Sequence, residues 1–231
     1  MTLSYESKED FYQFIMDNDV IGIFDKPIKL KSGRLSYFYV NWRNVSSDVN
    51  LIDKLTDYVI LFIEELKLKI DCIIGVPEGA TKLGILTQYK LAKRQKDFKS
   101  KKYILPMARG KIKKHGDPKD KAYIGVPQGN IVILEDVTTT GESLLKLINQ
   151  LLELNVKIIA TISLTNRNEI RPDGKNIEEI LKENEISYYA MSNALDLLPK
   201  VYEKYNIDAS IARKVEKYFE KYGVNRLKLL E

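Results

Sequence analysis

Two adjacent carboxylates, Glu135 and Asp136, close the apolar run Ile131-Val132-Ile133-Leu134 and lead into Val137, Thr138, Thr139, Thr140, Gly141, Glu142 and Ser143, after which Leu144 to Ile148 form an amphipathic stretch. The order is strand, acidic pair, Thr-Gly loop, helix. At the C-terminal end of a parallel strand such a loop meets a helix N-terminus, whose free N–H groups and dipole attract a phosphate. The hydroxyls of the three threonines add donors around one glycine. Two carboxylates just before the loop would repel phosphate but suit hydrogen bonds from the vicinal hydroxyls of a ribose. Together they describe a ribose 5-phosphate cradle. The spacing fits neither a P-loop, which needs Gly-Lys-Ser/Thr, nor a three-glycine dinucleotide fingerprint. The plainer alternative is a helix N-cap after a strand, where Asp and Thr are favoured.

Four further segments could do chemistry beside it: Leu30-Lys31-Ser32-Gly33-Arg34 with Ser36, Tyr37 and Tyr39; Gly75-Val76-Pro77-Glu78-Gly79-Ala80; Arg109-Gly110-Lys111-Ile112-Lys113-Lys114-His115-Gly116; and Ser163-Leu164-Thr165-Asn166-Arg167-Asn168-Glu169. Alone, Lys-Ser-Gly-Arg is an ordinary hairpin turn. With the acidic Thr-Gly motif, the set resembles the type I phosphoribosyltransferases, and the Lys-Ser-Gly-Arg segment resembles the orotate phosphoribosyltransferases among them. The resemblance runs over nearly the whole chain. It implies transfer of the phosphoribosyl group of 5-phosphoribosyl-1-pyrophosphate (PRPP) to orotate, giving orotidine 5′-monophosphate and pyrophosphate, in UMP biosynthesis. It also implies Mg²⁺ held mainly by PRPP with no direct protein ligand, a chain without a decarboxylase domain, and a homodimer sharing loop 109–120 across its interface.

By the same resemblance, PRPP is bound by Lys31, Glu78, Gly79, Arg109, Lys111, Lys113, His115 and the whole run Glu135 to Ser143. Arg109, Lys113 and His115 are the catalytic residues, on a loop able to close over the departing pyrophosphate and exclude water. His115, the only histidine, can donate in either protonation state. Tyr39, Val40, Thr139 and Arg167 contact orotate, Arg167 as the reader of its carboxylate, since a guanidinium grips a carboxylate through two parallel hydrogen bonds. The chain departs from the family where Gly110 and Gly79 stand in place of lysines; Lys111 and Lys82 are the candidates to replace them, and Lys82 reads equally well as a solvated helix-start lysine.

These residues need a scaffold. Phe11, Phe14 and Ile15 recur at helical spacing behind Ser7 and Asp10, which suggests a capped helix over 7–18. Short β-prone runs at 21–24, 27–30 and 35–41 read as a small antiparallel appendage. From residue 50 the pattern alternates: helix 51–66, strand 71–75, helix 82–96, strands 103–107, 122–126 and 130–134, helix 142–154, strand 157–164. A turn at 171–174, a last strand near 187–190 and a helix at 211–222 follow. Continuous apolar strands between helices mean a parallel sheet buried on both faces. The expected fold is α/β, a doubly wound parallel sheet with a small N-terminal hood of helix and antiparallel strands: one domain over 1–231, with the hood at 1–45, the core at 50–170 and C-terminal elements at 171–231.

Composition narrows the rivals. A chain of 231 residues, 44% hydrophobic, can bury a full core. Its apolar runs are too short to span a bilayer and its start lacks a basic-then-apolar signal, so a cytoplasmic protein without membrane association is expected. The single cysteine, Cys72, lies in an apolar run and excludes a disulfide framework or thiolate cluster. Residues 90–121 hold thirteen Lys or Arg against three Asp, a local +10 within a net +5. That charge suits an RNA-binding, nucleotide-sensing regulator with the phosphoribosyltransferase fold, but few aromatics interleave it for stacking, so no nucleic-acid partner is expected. A phosphoribosyltransferase for another base is the nearer rival.

Overall fold

The structure is a computed structural model that describes residues 5–111, 113–115, 121–154 and 156–230. Helix α1 (Tyr5–Asp17) buries Phe11, Phe14 and Ile15 on one face, as the periodicity requires. It already runs from Tyr5, so Ser7 lies inside the helix and not at its cap. Strands β1 (Ile21–Lys29) and β2 (Leu35–Val40) pair antiparallel. The two expected short runs are one strand, broken in register between Ile23 and Ile28; Pro27, with no N–H to offer the ladder, sits in that exposed bulge. The turn between them closes through Leu30 N–H to Arg34 O (2.8 Å), with Gly33 at φ +82°.

Helix α2 (Arg43–Ser47) was not expected; α3 (Val49–Glu65) was, and Asp48 caps it by accepting from the N–H groups of Asn50 and Leu51. Next come β3 (Cys72–Gly75), α4 (Thr81–Lys93), β4 (Met107–Ala108), β5 (Tyr123–Ile124), β6 (Asn130–Thr138), α5 (Glu142–Leu152), β7 (Lys157–Asn166), α6 (Ile177–Glu183), β8 (Ser187–Asn193), α7 (Ala194–Tyr205) and α8 (Ala209–Tyr222). Strands β3, β6, β7 and β8 form one parallel sheet in that order, so among the described strands the order advances without reversal. Helices cover both faces. Ile73, Val132, Leu134, Ile162 and Leu164 face a core shared with α1, α3 and α7, while Cys72, Ile74, Ile131, Ile133 and Ile158 face α5 and α6. This is the parallel α/β core with an antiparallel hood that the sequence implied.

The expected strand at 103–107 shrinks to Met107–Ala108, which pairs antiparallel with β5 outside the main sheet. Pro106 supplies no donor, and the Ile104 carbonyl is taken by Gln88 Nε2 at 2.8 Å. Part of the basic stretch is structural: Lys90 pairs with Asp53 and Asp57, and Arg94 with Asp57 and Glu64.

Candidate active site

The cleft lies where the C-terminal ends of β6 and β7 meet the hood, and its wall includes Lys31, Tyr39, Val40, Asn41, Trp42, Arg43, Glu135, Asp136, Val137, Thr139, Thr140, Gly141, Glu142, Ser143 and Arg167. All four residues expected at the base, Tyr39, Val40, Thr139 and Arg167, are therefore together. Of the acidic Thr-Gly motif only Thr138 is missing from the wall.

The reason is the length of β6. The sequence suggested a strand ending at Leu134, but β6 pairs with β7 as far as Thr138 opposite Asn166. Thr138 is fully buried and donates its hydroxyl to Glu135 Oε2 at 2.6 Å, so it supports the acidic pair and offers no hydroxyl to the cleft. Glu135 is buried as well; burial pushes its carboxyl up to about 8, the Asp136 charge adds to that, and the Thr138 hydroxyl and Lys31 oppose it. Asp136 points the other way, toward the loop after β3. Burial raises its carboxyl too, against backbone N–H donors and the positive charge of Arg43.

Gly79 in that loop touches this carboxylate: a Cβ built there would lie 2.2 Å from Asp136 Oδ2. A side chain at 79 and the present position of Asp136 exclude each other, which accounts for a glycine where the resemblance implies lysine. Glu78 and Gly79 border the cleft without lining it; the Pro77–Glu78 peptide is cis.

The Thr-Gly loop ends at Gly141, which has φ +70° and precedes α5 without any side-chain cap. Its first-turn N–H groups therefore stay available to an anion. Any side chain at 141 would strike Ile177, 2.3 Å from an added Cβ. Lys31 reaches from the hood turn to donate to Ser143 Oγ at 2.9 Å. That places it at the α5 end of the cleft. Arg171, which the sequence reading passed over, donates to the Thr140 carbonyl and braces the same loop.

Arg167 lines the cleft but is not free. Its Nε donates to Glu169 Oε1 at 2.7 Å, its Nη2 to Ser36 Oγ at 3.0 Å, and its guanidinium lies 3.9 Å from the Phe38 ring centre. Glu169 also accepts from Arg34 Nη1 at 2.6 Å. Two guanidinium groups share one buried carboxylate, so the cluster retains one net positive charge beside the cleft.

Arg109, Lys111, Lys113 and His115 follow β4 and do not line the cleft. Arg109 and Lys113 are held to the residues just before β5 by backbone bonds from their N–H groups to Ala122 O and Lys121 O. Ile112 and residues 116–120, including Gly116 of the motif and much of the expected shared loop 109–120, lie outside the described residues. Lys82, the other candidate for a missing lysine, donates to Ser46 O at 3.1 Å. Among the described residues no three carboxylate, imidazole or thiol side chains gather to hold a metal.

A parallel sheet that delivers an acidic pair and a Thr-Gly loop to an uncapped helix N-terminus, roofed by a hood carrying aromatic and cationic residues, defines a type I phosphoribosyltransferase. No family model matches the chain. The orotate phosphoribosyltransferase of Methanosphaera stadtmanae is 30% identical over 181 residues, covering 78% of this chain and 90% of that protein. The transcriptional regulator GfcR of Methanocaldococcus jannaschii is 24% identical over 130 residues, 56% of this chain and 58% of its own. Among solved structures, the orotate phosphoribosyltransferase of Francisella tularensis superposes with a TM-score of 0.67 at 22% identity, covering 93% of this chain and 99% of that one. The chain belongs to the orotate phosphoribosyltransferase family. No helix among the described residues is long and apolar enough to cross a membrane.

Proposed function

We propose that this chain is an orotate phosphoribosyltransferase of cytoplasmic UMP biosynthesis, working as a single catalytic domain on PRPP and orotate. The observation that carries the reading is the joining of two half-sites in one cleft: an acidic pair with an uncapped helix N-terminus for a phosphorylated ribose, and an Arg-rich wall with one surplus positive charge for a carboxylated base.

The 5-phosphate takes the first-turn N–H groups of α5 and the hydroxyls of Thr139, Thr140 and Ser143. Asp136 and Glu135 accept from the ribose hydroxyls. The planar base lies against Tyr39 and Val40, with its carboxylate toward the remaining N–H groups of Arg167. Because Glu169 fixes that guanidinium, recognition is directional, and uracil, which lacks the carboxylate, leaves these donors unpaired.

In the reaction a ring nitrogen of orotate forms a bond to C1 of the ribose while the bond from C1 to pyrophosphate breaks, its electron pair leaving with the pyrophosphate and the proton of that nitrogen passing to solvent or to the departing pyrophosphate. Magnesium bound to PRPP would neutralise part of that charge. Lys113, Arg109 and Lys111, on the segment after β4, supply cations and His115 a hydrogen-bond donor when that segment closes over the cleft, in this chain or from a dimer partner. The base attacks C1 directly and pyrophosphate is already a good leaving group, so no covalent enzyme intermediate is required.

The test is turnover of purified protein with PRPP, Mg²⁺ and each of orotate, uracil, adenine, hypoxanthine and guanine, followed by absorbance. Orotate alone should react. Turnover of a different base would keep the ribose phosphate cradle and refute Arg167 as a carboxylate reader, while no turnover together with salt-sensitive RNA binding would favour the regulator.

A further inference from the structure

Four cationic side chains line the cleft, and two are already engaged: Lys31 with Ser143, and Arg167 with Glu169 and Ser36. Lys29 ends β1 beside the Lys31 turn, and Arg43 is exposed at the start of α2. Among the described residues its guanidinium makes no hydrogen bond or ion pair, and its charge is felt by Asp136.

Its position is fixed from both sides. Trp42, the preceding residue, is buried, stacks on Phe11 at 5.8 Å and donates from Nε1 to Thr165 Oγ1 at 3.0 Å. The far end of α2 is tied to the start of α4 through Lys82 and Ser46 O. Arg43 is therefore carried to the Asp136 side of the cleft, near the loop between β3 and α4. That loop brings no cation of its own, because Gly79 has no side chain and abuts Asp136, Glu78 is acidic, and Lys82 is turned to Ser46. The other end of the cleft, at Ser143 and the α5 N-terminus, already has both N–H donors and Lys31.

A substrate whose ribose lies over the acidic pair, with its 5-phosphate at α5, directs the group on C1 toward Arg43. We propose that Arg43 binds the pyrophosphate group of PRPP and the pyrophosphate product, as the fixed cation at that end of the cleft. This rests on the phosphoribosyltransferase reading above.

Arg43→Gln and Arg43→Lys separate the possibilities, and the exposed side chain leaves folding intact, checked by melting temperature. Magnesium pyrophosphate is titrated calorimetrically into each protein, and KM is measured separately for PRPP and orotate. Arg43→Gln should weaken pyrophosphate and raise the PRPP KM roughly ten- to hundredfold, the scale of a charge-assisted hydrogen bond, with orotate KM within about twofold and Arg43→Lys intermediate. Unchanged pyrophosphate affinity in Arg43→Gln, an effect confined to orotate, or a native protein that does not bind magnesium pyrophosphate would each overturn the proposal. If the native protein turns over orotate while Arg43→Gln matches it throughout, this proposal alone fails. If no base is turned over but pyrophosphate binding still depends on Arg43, the proposal stands and the orotate reading falls.

Discussion

Glu135 and Asp136 are neighbours in sequence, and the sequence alone suggests one joint task, two acceptors for one ribose. Their surroundings divide them. Asp136 is largely buried between Gly79 and the field of Arg43, while Glu135 is fully enclosed with Thr138 and held up to about 8 by burial. That displacement has a consequence for stability. An unfolded chain releases the Glu135 proton near its ordinary 4.5, whereas the folded chain keeps it to about 8. Between those values the folded state binds more protons, so this residue's contribution is full below the lower value and is lost as pH rises through the upper one. The loss is at most about 1.4 kcal/mol per pH unit. Glu135→Gln keeps the shape without the proton, so urea denaturation across this window should show a flatter fall in stability than the native chain. Parallel slopes would mean that Glu135 is already ionised in the fold.

At the scale of elements, the junction of β6, the Thr-Gly loop and α5 depends on Gly141. Gly141→Ala imposes a positive φ on a residue with a Cβ, costing about 1 to 2 kcal/mol, and drives that atom into Ile177 on α6, a clash that typically adds about 1 to 3 kcal/mol. The variant should melt earlier and bind PRPP more weakly, with orotate binding nearly unchanged; a native melting curve would show that the loop does not need this conformation. This junction was legible in the sequence because an unbroken apolar run, an acidic pair and a glycine punctuate it within a few residues. Other elements left weaker marks. Helix α7 carries Pro199 in its interior, and α2 has five residues, too few for a period. Helix α6 did carry a signal, since Asn176 and Glu179 cap its start reciprocally, but at seven residues it is too short to show a helical period. Arg43 and Trp42 escaped for the same reason as α2: nothing in their spacing shows that a tertiary contact, Trp42 to Thr165, brings them to the cleft. The extension of β6 through Thr138 was hidden by its polar residues, which are satisfied by pairing with β7 and by each other.

At the scale of the whole molecule, the hood and the sheet must hold the base and the ribose phosphate in register, and a buried ionic cluster spans that boundary. Glu169, after β7, has no exposed side-chain surface and joins Arg34 from the hood to Arg167 from the core. The C-terminal helix closes the same junction. Arg34 lies 4.5 Å from the Tyr222 ring, Phe38 stacks on Phe219 at 5.3 Å, and the N–H groups of Ile170 and Val224 bond to Tyr222 O and Asn168 O. Breaking a buried pair from one side leaves charge without compensation, which typically costs about 3 to 5 kcal/mol, more than the pair contributes relative to an apolar replacement. Glu169→Gln leaves two guanidinium groups in that position. It should lower the unfolding free energy by that order, seen as an earlier urea midpoint with an unchanged denaturant slope, and it should raise the orotate KM, because the orientation of Arg167 is lost even though the surplus charge grows. The two readouts separate attraction from positioning. A tighter orotate KM in this variant would mean that net charge governs carboxylate capture, whereas a weaker one means that the fixed direction of the Arg167 N–H groups does.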